Sequence, residues 1–298
     1  MAGLRTRTRR EGLLALALLA PAAILFAVFT FYPFARNFKL ALYQVPPYPG
    51  LPSRYVGLSQ FSHILSSTVF HQSLISTILF VIMVVPVGLL GGLALAVVAH
   101  RHLRGMSLYR LAFSSTAVSS VAVAAVIFGT LMNPVVGLLP WLGIDPHPAI
   151  LESPTWALPA VSLIAVWQFL GLSFIIMTAG LQSLPEEVLE ASALDGASPW
   201  TTFWRITVPL LSPTLFFALV IGTIYAFQTF AQIDILIGPQ SAVFTHTNVL
   251  IYAIYRALQV QHDPGAAAVL SIILFAIMLL LTVVQFRFLE RRVHYAGS

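Results

Sequence analysis

Six apolar stretches, near residues 13–35, 74–98, 108–132, 157–181, 209–237 and 266–289, constrain this chain more than any other feature. An α-helix rises about 1.5 Å per residue and a bilayer's hydrocarbon core is about 30 Å thick, so roughly 20 apolar residues cross it. In lipid each backbone N–H and C=O must be satisfied within the protein, which makes helices the natural solution for spans of this length. The expected fold is therefore all-α and membrane-integral: one transmembrane domain over residues 1–298 with six transmembrane helices. Only 8% of the 298 residues are charged, against about 25% in soluble domains.

The first stretch imitates a secretory leader, because Arg5, Arg7, Arg9 and Arg10 precede it and Ala20 and Ala22 are spaced like a cleavage site. Hydrophobicity continues through Phe34, so an uncleaved first span is expected. Positive residues near span ends are retained in the cytoplasm. With the N terminus inside, eleven basic residues fall on inner segments: Arg5, Arg7, Arg9, Arg10, Arg101, Arg104, Arg110, Arg205, Arg287, Arg291 and Arg292. Only Arg36, Lys39, Arg54 and Arg256 fall outside. Both termini and the segment 182–208 are thus expected in the cytoplasm. The loops 36–73, 133–156 and 238–265 are expected outside.

Several chemistries lack their residues. The net charge of +5 comes from basic residues scattered at span ends rather than gathered on a face, which argues against nucleic acid. There is no cysteine and no HExxH-type metal spacing. No serine has an evident histidine and acidic partner. The one lysine, Lys39, is not preceded by a glycine-rich loop or followed by Ser or Thr, so the chain has no phosphate-binding loop of the usual kind. Apart from Asp234, near an outer end, the spans hold no interior acidic residue. That disfavours a proton-coupled autonomous carrier, in which such residues form relays.

The polar insertion Glu186 to Pro209, EEVLEASALDGASPWTTFWRITVP, holds four of the ten acidic residues. Ser183 and Glu186 fit a capping box, with Pro185 in the first turn. Gly196 suits a left-handed helix end, and Ser198–Pro199 open a second helix running toward Arg205. On the first helix Leu184, Val188, Ala191 and Leu194 or Asp195 are expected on one face, with Glu186, Glu187 and Glu190 on the others. This is expected to be a protein docking segment.

Glu190-Ala191-Ser192, Gly196, Ile206 and Pro209 resemble the EAA loop of ATP-binding-cassette importer permeases: EAA, three residues, Gly, nine residues, Ile, one residue, Leu-Pro. Ser192 replaces the second alanine and Val208 the leucine, while the spacing is kept. The resemblance implies that residues 184–206 form coupling helices seated in an ATPase, with Glu187, Glu190, Ala191, Ser192, Asp195, Gly196, Ile206 and Pro209 as coupling residues. It implies as partners a second homologous permease subunit, two ATPase subunits and an external substrate-binding protein, besides membrane lipid and without nucleic acid. No cofactor would be bound by this chain, and ATP and Mg would reside on the partner subunits, so the chain itself would not be an enzyme. Tyr55-Val56-Gly57-Leu58, Leu131-Met132-Asn133-Pro134 and Ile233-Asp234-Ile235-Leu236 resemble the carbohydrate-uptake branch. Asp195 to Trp200, Phe203 to Thr207, Leu250-Ile251-Tyr252 and Thr282 to Arg287 are similar to the first permease of glycerol-3-phosphate importers. That similarity implies glycerol 3-phosphate or glycerophosphodiesters as cargo, with mono- or disaccharides as the alternative and an autonomous secondary carrier as a more remote one. Ile237-Gly238-Pro239 departs from the usual pattern of that branch.

A polar row in the fifth stretch is the leading candidate for a substrate pathway. Tyr225, Gln228 and Gln232 fall at i, i+3 and i+7 on one helical face, with Thr229 beside them and Asp234 beyond. Gln228 lies roughly 28 Å above Pro209 in a continuous helix. Such a row either lines a chamber for hydroxyl-rich molecules or joins helices. Trp167, Gln168 and Ser173 form a second candidate set in the fourth stretch, and the outer basic residues Arg36, Lys39, Arg54 and Arg256 are candidates for an anion site. Gly88, Gly91 and Gly92, and likewise Ser115, Ser119 and Ser120, read as small-residue faces for close helix packing.

Overall fold

A computed structural model describes residues 2–46, 52–100, 105–144, 147–238 and 241–289, with the backbone alone at 2–13 and 288–289. Arg101, Arg104, Arg291, Arg292 and Pro239 lie outside the described residues, as do the side chains of Arg5, Arg7, Arg9 and Arg10. The first span begins as α1 (Ala2–Phe26), passes a π-helical turn at Ala27–Phe31 and continues as α2 (Tyr32–Ala41). It runs past the expected end near residue 35 because its last turns pack on another helix, α16 (Pro264–Val284). Phe34 meets Phe275 edge-on at 5.2 Å, and Ala41 is buried with Ala268 and Val269. From Leu14 to Phe31 its apolar side chains are exposed, as a lipid-facing or partner-facing helix requires.

Two residue pairs, β1 (Tyr43–Gln44) and β2 (Arg54–Tyr55), form a short antiparallel ribbon, followed by α3 (Ser59–Leu65). The second span is α4 (Thr68–Ala99). The third was expected as one helix over 108–132, but the chain forms α5 (Met106–Val118) and α6 (Val121–Leu131), bent by 103°. Ser119 and Ser120 are extended at the bend, with ψ of 136° and 133°, and Ser119 Oγ donates to the Thr116 carbonyl at 2.7 Å. Hydroxyls that bond nearby backbone offer an alternative to helical pairing, so these serines break the span instead of packing it. Ser115, also expected to pack, is exposed and bonds its own helix at Ala112. The buried hydroxyl is Thr116, which lies against Gly171.

After the short α7 (Leu138–Trp141), the fourth span is the unbroken α8 (Ala157–Gln182). Two loop helices follow, α9 (Glu186–Leu194) and α10 (Pro199–Thr202), then a π-helical turn at Phe203–Thr207 and α11 (Val208–Leu210). The fifth stretch divides into α12 (Ser212–Phe227) and α13 (Ala231–Leu236), so the expected helical face from Tyr225 to Gln232 is interrupted. Beyond it lie α14 (Phe244–Thr247) and α15 (Leu250–Tyr255), the latter continued by a π-helical turn at Arg256–Val260, before α16 closes the bundle. Among the described residues, five helical runs are long and apolar enough to cross a membrane, or six if the bent α5–α6 pair counts as one span.

The core is a parallel pair, α4 and α8. Phe80 and Val84 pack with Val161 and Ala165 near one end, and Leu93 and Ala96 with Phe174, Met177 and Leu181 near the other. The glycine stripe of α4 permits the approach. A Cβ at Gly92 would stand 2.5 Å from Ser173 Oγ and 2.8 Å from the backbone nitrogen of Phe174, and one at Gly88 2.5 Å from Phe169. Small residues therefore set the helix separation here, where burial of apolar surface from water contributes little between lipid-embedded helices.

Candidate functional site

The loop helices sit at the end of the bundle where α4 and α8 terminate. Ser183 does not open α9. It closes α8, with its N–H directed to the Ala179 and Gly180 carbonyls and its Oγ donating to Gly180 at 2.8 Å. Pro185 is the N-cap rather than a first-turn residue, with extended backbone (ψ 119°) and no side-chain cap. The capping box fails because α8 extends through Gln182 and uses Ser183 at its own end. Glu186 and Glu187 occupy the first turn of α9, where the helix dipole favours negative charge.

The other end of α9 follows the sequence pattern. Gly196 has φ +75°, its N–H donates to Ala193 and the Ala197 N–H to Ser192, each at 3.1 Å. This paired reversal satisfies carbonyls that the helix end would leave open. Ser198 then caps α10, accepting from the Thr201 N–H at 3.2 Å, with Pro199 first in the helix.

The faces of α9 differ from the expected assignment. Leu184, Leu189 and Ser192 turn inward, and Ser192 Oγ donates to Leu189 at 2.9 Å and lies 3.2 Å from Thr202 Oγ1. Val188, Ala191 and Leu194 face outward, together with Glu187, Glu190 and Asp195. Leu194 is 89% exposed, and Trp200 and Trp204 on the next helical turns are 71% and 50% exposed. Val188, Ala191 and Leu194 share a face as expected, but Leu184 does not join it, because it precedes α9 and the extended Pro185 separates it from the helix. Ile206 and Pro209 are half-buried where this unit rejoins the fifth span. Arg110 braces the same end by donating from Nη2 to the Ala99 carbonyl at 2.8 Å, at the C-terminus of α4 where a cation is favoured.

The second candidate set converges in mid-bundle on Gln168 of α8. Its Nε2 donates to the Ser119 carbonyl at 3.2 Å, inside the α5–α6 break. Its Oε1 accepts from Tyr225 Oη at 3.3 Å and from Gln232 Nε2 at 3.0 Å, on either side of the α12–α13 break. Gln168 and Gln232 are buried. Irregular backbone at membrane depth needs partners within the protein; Gln168 supplies one to the Ser119 carbonyl and ties together side chains on both sides of the second break. Thr229 is buried and bonds back to the Tyr225 carbonyl at 3.2 Å. Gln228 ends α12 with its side chain exposed, Trp167 lies tilted against Phe128 with ring centroids 5.5 Å apart, and Asp234 Oδ1 accepts from Tyr252 Oη at 3.0 Å. Ser173 is buried in the α4–α8 seam.

Sequence reasoning missed a third polar row, Ser73, Ser76 and Thr77 of α4. Ser76 Oγ donates to the His246 carbonyl at 3.1 Å, Thr77 Oγ1 accepts the Leu250 N–H at 2.9 Å, and Ser73 Oγ accepts from Asn248 Nδ2 at 2.8 Å. The i, i+3, i+4 spacing of hydroxyls was the available signal. Its partner is the stretch from His246 to Leu250, where α14 gives way to α15.

Residues 88–295 match the family model of the binding-protein-dependent transport system inner membrane component. The sn-glycerol-3-phosphate transport system permease protein UgpA of Agrobacterium fabrum is 37% identical over 286 residues, covering 93% of this chain and 95% of that protein. Its counterparts in Rhizobium meliloti and Yersinia pestis are each 35% identical, covering 93% of this chain and 95% and 94% of theirs. In fold, the chain is similar to a permease chain from a bacterial ABC transporter involved in import of the acidic polysaccharide alginate. There the TM-score is 0.83 at 21% identity, covering 97% of this chain and 98% of that one. The likeness extends to the alginate transporter in complex with its alginate pentasaccharide-bound periplasmic protein, with TM-score 0.80 at 20% identity, covering 96% of each chain. With the family pattern matched over most of its length, this chain belongs to the binding-protein-dependent transport system inner membrane components, as a multi-pass permease.

Proposed function

We propose that this permease is one half of the membrane pore of an ATP-driven importer for sn-glycerol 3-phosphate or glycerophosphodiesters. The observation that carries this reading is the 35–37% identity, over nearly the whole of each chain, to permeases named for sn-glycerol-3-phosphate transport. The complex would comprise a second permease, two ATPase subunits holding ATP and Mg, and an external binding protein. The outward stripe of Val188, Ala191 and Leu194 would seat in an ATPase surface, with Glu187, Glu190 and Asp195 meeting basic groups there. Ser192, Gly196, Ile206 and Pro209 would hold that stripe at its angle. This assignment places the exposed tryptophans and Leu194 in a protein interface, which fits large apolar side chains at a bundle end rich in carboxylates.

Closure of the ATPase pair would move the loop helices and shift the spans between inward-open and outward-open states. In the pathway, Gln228, Trp167 and Asp234 would face cargo, while Gln168, Tyr225, Thr229 and Gln232 hold the broken spans behind them. The test is uptake of radiolabelled glycerol 3-phosphate by proteoliposomes holding the complete complex, with ATP inside and binding protein outside. Uptake should require ATP and be competed by glycerophosphodiesters rather than disaccharides. Competition by disaccharides alone would overturn the cargo assignment, and uptake without ATP that collapses with an ion gradient would overturn the drive.

A further inference from the structure

At the end of the bundle opposite α9, a cleft of about 300 Å³ opens between the start of α4, the α15 segment and the start of α16. Two polar atoms of its wall residues lack a hydrogen-bond partner among the described residues. The Arg256 guanidinium lies 4.4 Å over the Phe244 ring, its Nε is buried without an acceptor, and among the described residues it forms no ion pair. Asn248 is 3% exposed; its Nδ2 is held by Ser73, and its Oδ1 is buried without a donor. Both atoms are sealed from the cleft by their surroundings, so a ligand there would meet the terminal Nη groups of Arg256, a half-buried residue of the wall with no hydrogen bond among the described residues. The carboxylate in the same wall, Asp263, is engaged: its Oδ1 accepts the Ala266 N–H at 2.9 Å at the start of α16, where the helix dipole offsets its charge. A guanidinium fork is suited to phosphate oxygens, and stacking on an aromatic ring fixes its plane.

We infer that this cleft binds a phosphate ester, with the Arg256 Nη groups on the phosphate oxygens. The identification of that ester with the transported solute rests on the proposed function; the chemistry of the cleft does not. A lipid headgroup presents the same phosphate, so the test separates the two sources. The complete complex, in nanodiscs and without binding protein, is titrated with radiolabelled glycerol 3-phosphate, with inorganic phosphate and glycerol as competitors. Arg256→Gln should weaken binding about ten- to hundredfold, the loss of one charge-assisted contact. Inorganic phosphate should compete and glycerol should not. If Arg256→Gln fails to assemble, Arg256→Lys, which keeps the charge and loses the fork, should weaken binding several-fold. Unchanged affinity in whichever variant assembles would overturn the site. So would mass spectrometry showing that a bound phospholipid is lost from the variant while solute binding stays as in the native complex. Arg256-dependent binding in a complex that does not import glycerol 3-phosphate would leave the cleft standing and sink the transport reading. Import with Arg256-independent binding would do the reverse.

Discussion

Replacing Gln168 by Met tests whether one amide holds two broken spans together. Methionine is unbranched and of similar length, so it fills the space with little repacking and removes only the hydrogen bonds. Three are lost: to the Ser119 carbonyl at 3.2 Å, from Tyr225 Oη at 3.3 Å and from Gln232 Nε2 at 3.0 Å. Soluble-protein values of about 1–3 kcal/mol per unsatisfied buried group would give roughly 3–9 kcal/mol. Within a bilayer the measured mean is nearer 0.6 kcal/mol per interhelical bond, because the membrane-embedded unfolded state also finds partners, and three bonds then give about 2 kcal/mol. The smaller figure governs, since Tyr225 and Gln232 keep rotamer freedom to seek other acceptors, whereas the Ser119 carbonyl is fixed by its backbone. Titration of the assembled complex with SDS in mixed micelles measures the change, and a double-mutant cycle with Gln232→Leu isolates the shared bond. The double variant should cost about 0.5–1 kcal/mol less than the sum of the single variants, in the range for residues in contact. A Gln168→Met variant within about 0.5 kcal/mol of native, or strict additivity with Gln232→Leu, would refute the role of Gln168 as a clamp.

Three further outcomes follow from the packing and the loop. Gly171→Ala drives a methyl onto Thr116 Oγ1 and to 2.7 Å from the Ala117 backbone nitrogen; an overpacking cost of about 1–3 kcal/mol is expected in the same titration, and a neutral result would mean that α5 is free to withdraw from α8. Leu194→Ala, at a side chain 89% exposed, should change the subunit's own stability by less than about 0.5 kcal/mol. It should nevertheless weaken ATPase attachment about ten- to hundredfold in a pull-down titration, because burying a leucine contributes about 1.5–3 kcal/mol; unaltered attachment would remove Leu194 from the interface. Gly196→Val should cost about 1–2 kcal/mol in loop stability, read as faster amide exchange across α9, because Gly196 has φ +75°. A Cβ there meets nothing within 4 Å, so the cost is purely backbone and Gly196→Asn, which tolerates that conformation, should recover most of it.

The spans were legible because a run of roughly 20 apolar residues has few other uses. The helix-ending role of Gly196 and the capping role of Ser198 were legible because both are set by local backbone conformation. The breaks were not. Ser119 and Ser120 sit in a run that stays apolar despite two hydroxyls, and the carbonyl freed by the extended pair is satisfied by the distant amide of Gln168. The same holds for Gln228 and Gln232, whose spacing promised one face until the helix ended at Phe227. Periodicity assumes the helix it is used to find. Ser183 was misassigned for a related reason: a capping residue serves whichever helix reaches it first, and α8 reached it from the N-terminal side.

The loop and the clamp share a helix, and that has a mechanical consequence. Gln168 lies 14 residues before the end of α8 at Gln182, a rise of about 21 Å without a break, and α9 begins four residues later. Along that distance α8 is pressed against α4 so closely that a single methyl at Gly92 would meet Ser173 and the Phe174 backbone. Neither helix can slide past the other by less than a ridge, because packed seams have discrete arrangements rather than a continuum. A push on α9, under the proposed coupling, is therefore delivered to Gln168 as a rigid-body displacement of the α4–α8 pair. What can yield lies beyond the clamp. α6 and α13 follow the two breaks, pack on each other through Gly129 and Leu236, and are tied to α8 at Ser119 and Gln232. Their hinge residues, rather than the long helices, are where the chain has soft dihedrals to absorb a tilt. The polar groups first read as a lining for cargo thus have a prior duty: they make the ends of two half-helices follow the one element that reaches the loop.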